Sequence, residues 1–471
     1  MELKKRNDMN PDYQWDLTPI FEDAEAWRAA LADAEAAVKG LESLPGTLCA
    51  SAEGLKAGLE SIYAAAEKVE RVYSYAFLCK AGDNGDPACQ EMEARAIRLF
   101  VDMETAMAFV NPEILTVPQD RLEAWMAEPA LKTYRHMLED VARARSHTLD
   151  EKGERIMAML GDAAQTPGSA FEMFESVDMR FPAVHDETGA EAALTHGSFG
   201  VFRESRSQDV RREAFETYFG EFGKYINTLA AIYGGSVKQD CFFAQVRGHA
   251  GACEAALFRG NVPVSLYDGL IEAVHEALPA MREYLALRQR ALGLDALNLY
   301  DLYAPMVEDV EFDMPYERAQ QIVRAALAPL GGEYQALLDR AFAEKWIDVY
   351  ENQGKTTGAF SSGVYGVHPY VLLNYTGKLD DAFTLAHELG HSMHSFFSDR
   401  AQDYPNHDYQ IFVAEVASTV NEVLLTKYLL SVEKDAKRRA YLLNHFLEGF
   451  RTTVFRQTLF AEFERKAHEM Y

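Results

Sequence analysis

Residues 385–397 read Leu385-Ala386-His387-Glu388-Leu389-Gly390-His391-Ser392-Met393-His394-Ser395-Phe396-Phe397. His387 and His391 are four positions apart, which puts them one above the other on a helix face. Two imidazole nitrogens can then converge on one metal ion. Glu388 stands beside the first histidine, where a carboxylate can take a proton from a water that zinc acidifies to a pKa of about 7. Three fixed positions match by chance in roughly one chain in twenty of this length, and the bland alternative is a solvated polar face. The flanks Ala382 to Ala386 and Phe396-Phe397 are apolar, so the helix is expected to be buried, where unpaired His and Glu would be costly.

Catalytic zinc usually takes three protein ligands and leaves a fourth position open. Glu415 is the expected third ligand. It follows His387 by 415 − 387 = 28 positions, on a helical pattern from Tyr409 to Glu422. Glu415, Ser418 and Glu422 fall at i, i+3 and i+7, beside an apolar stripe of Phe412, Val416, Val420 and Val423. The pattern reads as a buried helix carrying carboxylates that want a partner. His394, Asp399, Asp403, His407 and Glu422 remain competing donors.

Outward from this region the chain is mostly helical in pattern. Pro11 to about Gly168 is rich in Ala, Glu and Leu, with Trp27, Leu31, Ala34 and Val38 at helical spacing. Residues 176–196 change character around the turn signal Asp186 to Gly189, which predicts a hairpin. Helical pattern returns over 209–292 and 316–342. Trp346 to Tyr350 and Tyr370 to Tyr375 read as strands of a small sheet just before the motif helix, with Gly358 to Gly366 as a lid or plain loop. After a loop at Ser398 to Asn406 the chain is helical to Tyr471, with Arg451 and Arg456 read as cleft residues or as partners of carboxylates.

The 471 residues exceed the usual single-domain size, and 48% are hydrophobic, enough for a large core. Lys plus Arg number 46 against 73 Asp plus Glu, a formal charge of −27 that argues against nucleic acid or anionic lipid as partner. The five cysteines are odd in number and lack C-x-x-C spacing, so neither a disulfide framework nor a thiolate zinc site is expected. No apolar segment of signal or membrane-spanning type is read, and the cytoplasm is the expected compartment.

At the zinc motif and at Glu415-Val416-Ala417-Ser418 the chain resembles the oligoendopeptidase F branch of the thimet oligopeptidase-like zinc metallopeptidases, gluzincins whose third ligand is a Glu in an E-x-x-S context. QWDLTPIF (14–21), LTHGSFGVFRESRSQDVRREAFE (194–216), GAFSSGVYGVHPYVLLNYTGKLDD (358–381) and FRQTLFAEFE (455–464) also look like segments of that family. The resemblance implies a mainly α, two-lobed helical shell around a deep channel, with a small β-sheet next to the motif helix. It implies a helical N-terminal region over 1–200 and a catalytic region over 201–471. It also implies a further His- and Tyr-bearing region, which nothing before Tyr471 matches, so a chain truncated at its C-terminus is expected. The family's substrate-binding edge strand maps onto Gly363 to Leu373, making His368, Tyr370 and Tyr365 candidate substrate contacts. The expected activity is a zinc metalloendopeptidase acting on short unfolded peptides, with one Zn2+ per chain on His387, His391 and Glu415 and Glu388 as base. A metallocarboxypeptidase or dipeptidase, or a zinc-bearing peptide-binding fragment without turnover, are the alternatives.

Overall fold

The computed structural model describes residues 3–307 and 312–471. Amphipathic pattern and side-chain caps explain the N-terminal helices. Asp23 accepts from the backbone of Glu25 and Ala26 to start Ala24–Gly40, whose buried face is Trp27, Leu31, Ala34 and Val38. Ser51 caps Ala52–Gly82, and Asp86 with Pro87 at the first turn starts Pro87–Met107. Leu55, Leu59, Ile62, Met92, Leu99 and Met103 close one core between these helices. Contrary to the cysteine arithmetic, Cys79 and Cys89 are joined in a disulfide, while Cys49, Cys241 and Cys253 are free thiols. Spacing rules look for frameworks, and a lone bridge between the facing ends of two helices leaves no such pattern.

The fold is mainly α, with five short strands in two sheets among the described residues. Strands β1 (Val184–His185) and β2 (Glu191–Ala192) pair antiparallel across the turn at Gly189, whose φ of +79° suits glycine. Strands β3 (Ile347–Asp348), β4 (Phe360–Ser362) and β5 (Tyr370–Leu372) form the second sheet in the order β3-β5-β4. β5 runs parallel to β3 and antiparallel to β4. The stretch read as a lid or loop thus contributes β4, and the outer strands are β3 and β4, with the outer side of β3 met by the N-terminal segment through Val349 N to Tyr13 O and Asp16 N to Lys345 O. β5, inside the segment assigned as an edge strand, is central: it pairs with a strand on each side, and all three of its residues are buried.

The chain forms two compact units, each made of two stretches: Met1–Arg145 with Glu311–Val432, and Ser146–Val310 with Glu433–Tyr471. In the first unit Trp15 and Ile20 of QWDLTPIF pack with Leu78, Val364, Tyr370 and Leu372. Arg6 and Lys355 both reach the buried carboxylate of Asp348, at 2.5 and 2.7 Å. In the second unit Val184, Leu194, Phe199 and Ala214 form a small core, and a buried Arg211–Asp301 pair at 2.7 Å ties it to the turn at Leu299–Asp301.

Candidate metal centre

The motif helix, Leu379–Ala401, starts where Asp381 accepts from the backbone of Thr376 and Lys378 and from the Thr376 hydroxyl. Asp380 and Asp381 in its first turn also oppose the helix dipole. Its buried side includes Leu379, Ala382, Phe383, Leu385, Ala386, Leu389 and Met393, as the apolar flanks predict. Ser361 of β4 and Ser392 of the helix share a hydrogen bond of 2.8 Å, fixing the sheet against the motif. The helix runs on through Ser398, so the connector begins only at Gln402.

The next helix, Ile411–Val432, brings Glu415 to the histidines because of Gly390. A Cβ on Gly390 would stand 2.5 Å from Ser418 Cα and 2.7 Å from Ser418 N, so only glycine permits this crossing. The approach turns Ser418, Asn421, Leu425 and Leu429 inward. Phe412, Val416 and Val420 are then exposed, contrary to the reading of a buried stripe. Packing at one small-residue crossing outweighs the hydrophobic pattern here.

Three donor atoms converge. His387 Nε2 and His391 Nε2 are 3.1 Å apart, and each is 3.3 Å from Glu415 Oε2. His387, His391 and Glu415 form the group whose geometry suits a metal ion among the described residues. Lone pairs of two imidazoles and a carboxylate facing one point are mutually satisfied by a cation, and two nitrogens with one oxygen is a ligand set of the zinc type. Ser418 donates to Glu415 Oε2 at 2.7 Å, which gives the E-x-x-S context a physical meaning. Asn421 donates to the Ala386 carbonyl and holds the two helices together.

Two contributors went unassigned in the sequence. Glu422 accepts from His387 Nδ1 at 2.5 Å, orienting the ring so that Nε2 faces the other donors. Its i+7 spacing from Glu415 was the available signal, although it fitted a competing ligand as well. Gly390 lies inside the motif, where the pattern leaves its identity open. The remaining competing donors lie elsewhere: His394 stacks on Tyr409 at 3.7 Å, His407 pairs with Asp399 at 3.0 Å, and Asp403 accepts from Thr133.

Electrostatics separate the roles further. Glu388 is 7% exposed, and burial, with the Glu415 and Glu422 charges, pushes its carboxyl up to about 7 against the opposing pull of His387. Burial lowers His391. Burial also acts downward on His387, but the Glu422 carboxylate outweighs it and raises the ring. Among the candidate substrate contacts, His368 is buried flat on Trp346 and Tyr370 packs edge-on against Trp15. Their Nε2 and hydroxyl are buried without hydrogen-bond partners. Tyr365 is half-buried and donates to the Gln402 carbonyl.

A mainly helical chain that gathers an H-E-x-x-H helix and a downstream glutamate around one point has the build of a metallopeptidase. The model of peptidase family M3 matches residues 201–471, and that of oligopeptidase F matches residues 113–181. Oligopeptidase PepF of Bacillus subtilis is 40% identical over 99% of this chain and 70% of its own length. An oligoendopeptidase F homolog of Lactococcus lactis is 38% identical over 99% of this chain and 78% of its own. The crystal structure of oligoendopeptidase-F from Enterococcus faecium, 33% identical, covers 94% of this chain and 75% of that one with a TM-score of 0.67. The chain belongs to peptidase family M3. It is a metalloendopeptidase of the oligoendopeptidase F type, and its substrates are peptides.

Proposed function

We propose that the chain hydrolyses internal bonds of short unfolded peptides with one Zn2+ held by His387, His391 and Glu415. The observation that carries this reading is the convergence of those three donor atoms on one point. A zinc ion bound there supplies Lewis acidity toward a carbonyl oxygen and a water. Glu388 is the general base: its carboxylate takes a proton from the attacking water and returns it to the leaving amine. Glu422 holds the His387 ring and Ser418 holds the Glu415 carboxylate.

The peptide backbone pairs with the open edge of β4, which Ser361 ties to the motif helix. Tyr365 meets the substrate through its half-buried ring, and the partnerless His368 Nε2 and Tyr370 hydroxyl support keeping both as contacts. The catalytic region is residues 201–471, following a helical N-terminal region, and the proposed compartment is the cytoplasm. Among the described residues no helix is long and apolar enough to cross a membrane.

Glu388→Gln is expected to retain zinc while cleavage of a peptide blocked at both termini falls by about a thousandfold. Unchanged cleavage would remove Glu388 from the mechanism. Cleavage of free but not blocked peptides by the parent chain would favour the carboxypeptidase or dipeptidase alternative.

A further inference from the structure

In the second unit, three guanidinium groups surround one phenol. Arg203 ends the helix His196–Arg203 and places its Cζ 4.1 Å from the centre of the Tyr303 ring. Arg451 lies 4.6 Å from the same ring centre, and Arg456 Nη1 donates to the Tyr303 hydroxyl at 2.8 Å. Arg451 and Arg456 are five positions apart, which an α-helix would splay to different faces. The π-helical stretch Phe450–Phe455 widens the turn and brings them to one side.

The neighbouring arginines of this unit are paired. Arg211 is matched by Asp301, and Arg288 and Arg451 share Glu448. Arg203 and Arg456 have no carboxylate partner among the described residues, although the chain carries a net charge of −27. Arg203 Nε is a buried donor with no acceptor. An unpaired buried donor on a cation is costly, and an oxyanion removes that cost by accepting from a planar fork of N–H groups. Burial raises the Tyr303 phenol, yet the Arg456 hydrogen bond and the neighbouring positive charges outweigh it and hold the group below its ordinary value.

We propose that Arg203 and Arg456, gathered around the Tyr303 ring, form an oxyanion-binding site that takes a carboxylate, such as the C-terminus of a peptide, or a phosphate, with Tyr303 as its reporter. Arg203 supplies its free Nε–H, Arg456 its remaining guanidinium donors, and Arg451 a fixed positive charge already anchored on Glu448. The chemistry excludes neutral and cationic ends.

The test titrates the full chain calorimetrically with N-acetylglycine, its neutral twin N-acetylglycinamide, and inorganic phosphate. None of the three contains an internal peptide bond between residues, so turnover does not interfere. At least one anion is expected to bind one per chain and shift tyrosine ultraviolet absorbance to higher pH, with the amide silent. N-acetylglycine binding alone would identify a peptide carboxylate as the source, and phosphate binding alone would identify free phosphate. Arg456→Gln, a change at an exposed side chain, is expected to weaken binding about tenfold, and Arg203→Gln with Arg456→Gln to abolish it. Tyr303→Phe is expected to remove the absorbance signal while retaining binding. Equal binding of the amide, unchanged binding by the double variant, or no binding of either anion would overturn the proposal.

Discussion

Two charged clusters in the first unit have opposite designs. Asp348 lies buried between Arg6 and Lys355, and Lys355 also donates to the Asp348 and Tyr350 carbonyls. Every charge there has a partner, so the cluster is closed. His387, His391 and Glu415 instead direct acceptor atoms at one another, with Glu415 62% exposed. Such a cluster is open, completed only by a cation. Burial and charge alone do not mark a site. What marks it is like-natured donors converging without a counterpart in the chain.

The comparison predicts different failures. Breaking the closed cluster is expected to cost stability: Asp348→Asn leaves Arg6 and Lys355 facing each other and should lower unfolding free energy by about 3–5 kcal/mol. Denaturant unfolding measures this, and zinc content per folded chain should not change. A stable variant that loses zinc would reverse the roles of the clusters.

A second closed cluster tests pH. His407 sits between Asp399 at 3.0 Å and Glu70 at 3.7 Å. Burial pulls its ring down, but those carboxylates outweigh it and raise the imidazole to about 9. Because the folded value lies above the unfolded value of about 6.5, the stabilisation is full below that pH and is lost as pH rises through about 9. The stability difference between the parent and His407→Gln is expected to shrink by roughly 2–3 kcal/mol between pH 6 and pH 10. A flat difference would show that the imidazolium is not held by its neighbours.

The smallest effect sharpens the open cluster. Glu422→Gln keeps an acceptor for His387 Nδ1 but loses the charge, and zinc affinity should fall about tenfold to a hundredfold without loss of stability. Unaltered affinity would assign Glu422 to packing alone.

Much of this was legible before the structure. The helix face of His387 and His391 follows from a four-residue spacing, and the core of Ala24–Gly40 is the set read from periodicity. Glu415 was reachable through i+3 pairing with Ser418. What spacing does not encode is the crossing of two helices. Gly390 sets that crossing by what it lacks, and the crossing decides that Phe412 and Val416 are exposed while Glu415 reaches the two histidines. The central place of β5 was hidden for a similar reason: β4 is three residues long, too short to show alternation, and its pairing is a tertiary fact. The bridge between Cys79 and Cys89 joins residues ten apart on different helices, a relation of geometry rather than spacing.

The most direct test of the open cluster is zinc stoichiometry at fixed free metal, measured on the parent chain and on Glu415→Ala. The parent should hold one zinc per chain, and the variant should fall far below one while its helical circular dichroism persists. If Glu415→Ala still held one zinc per chain with unchanged affinity, the third donor would lie elsewhere and the three-residue centre would be wrong.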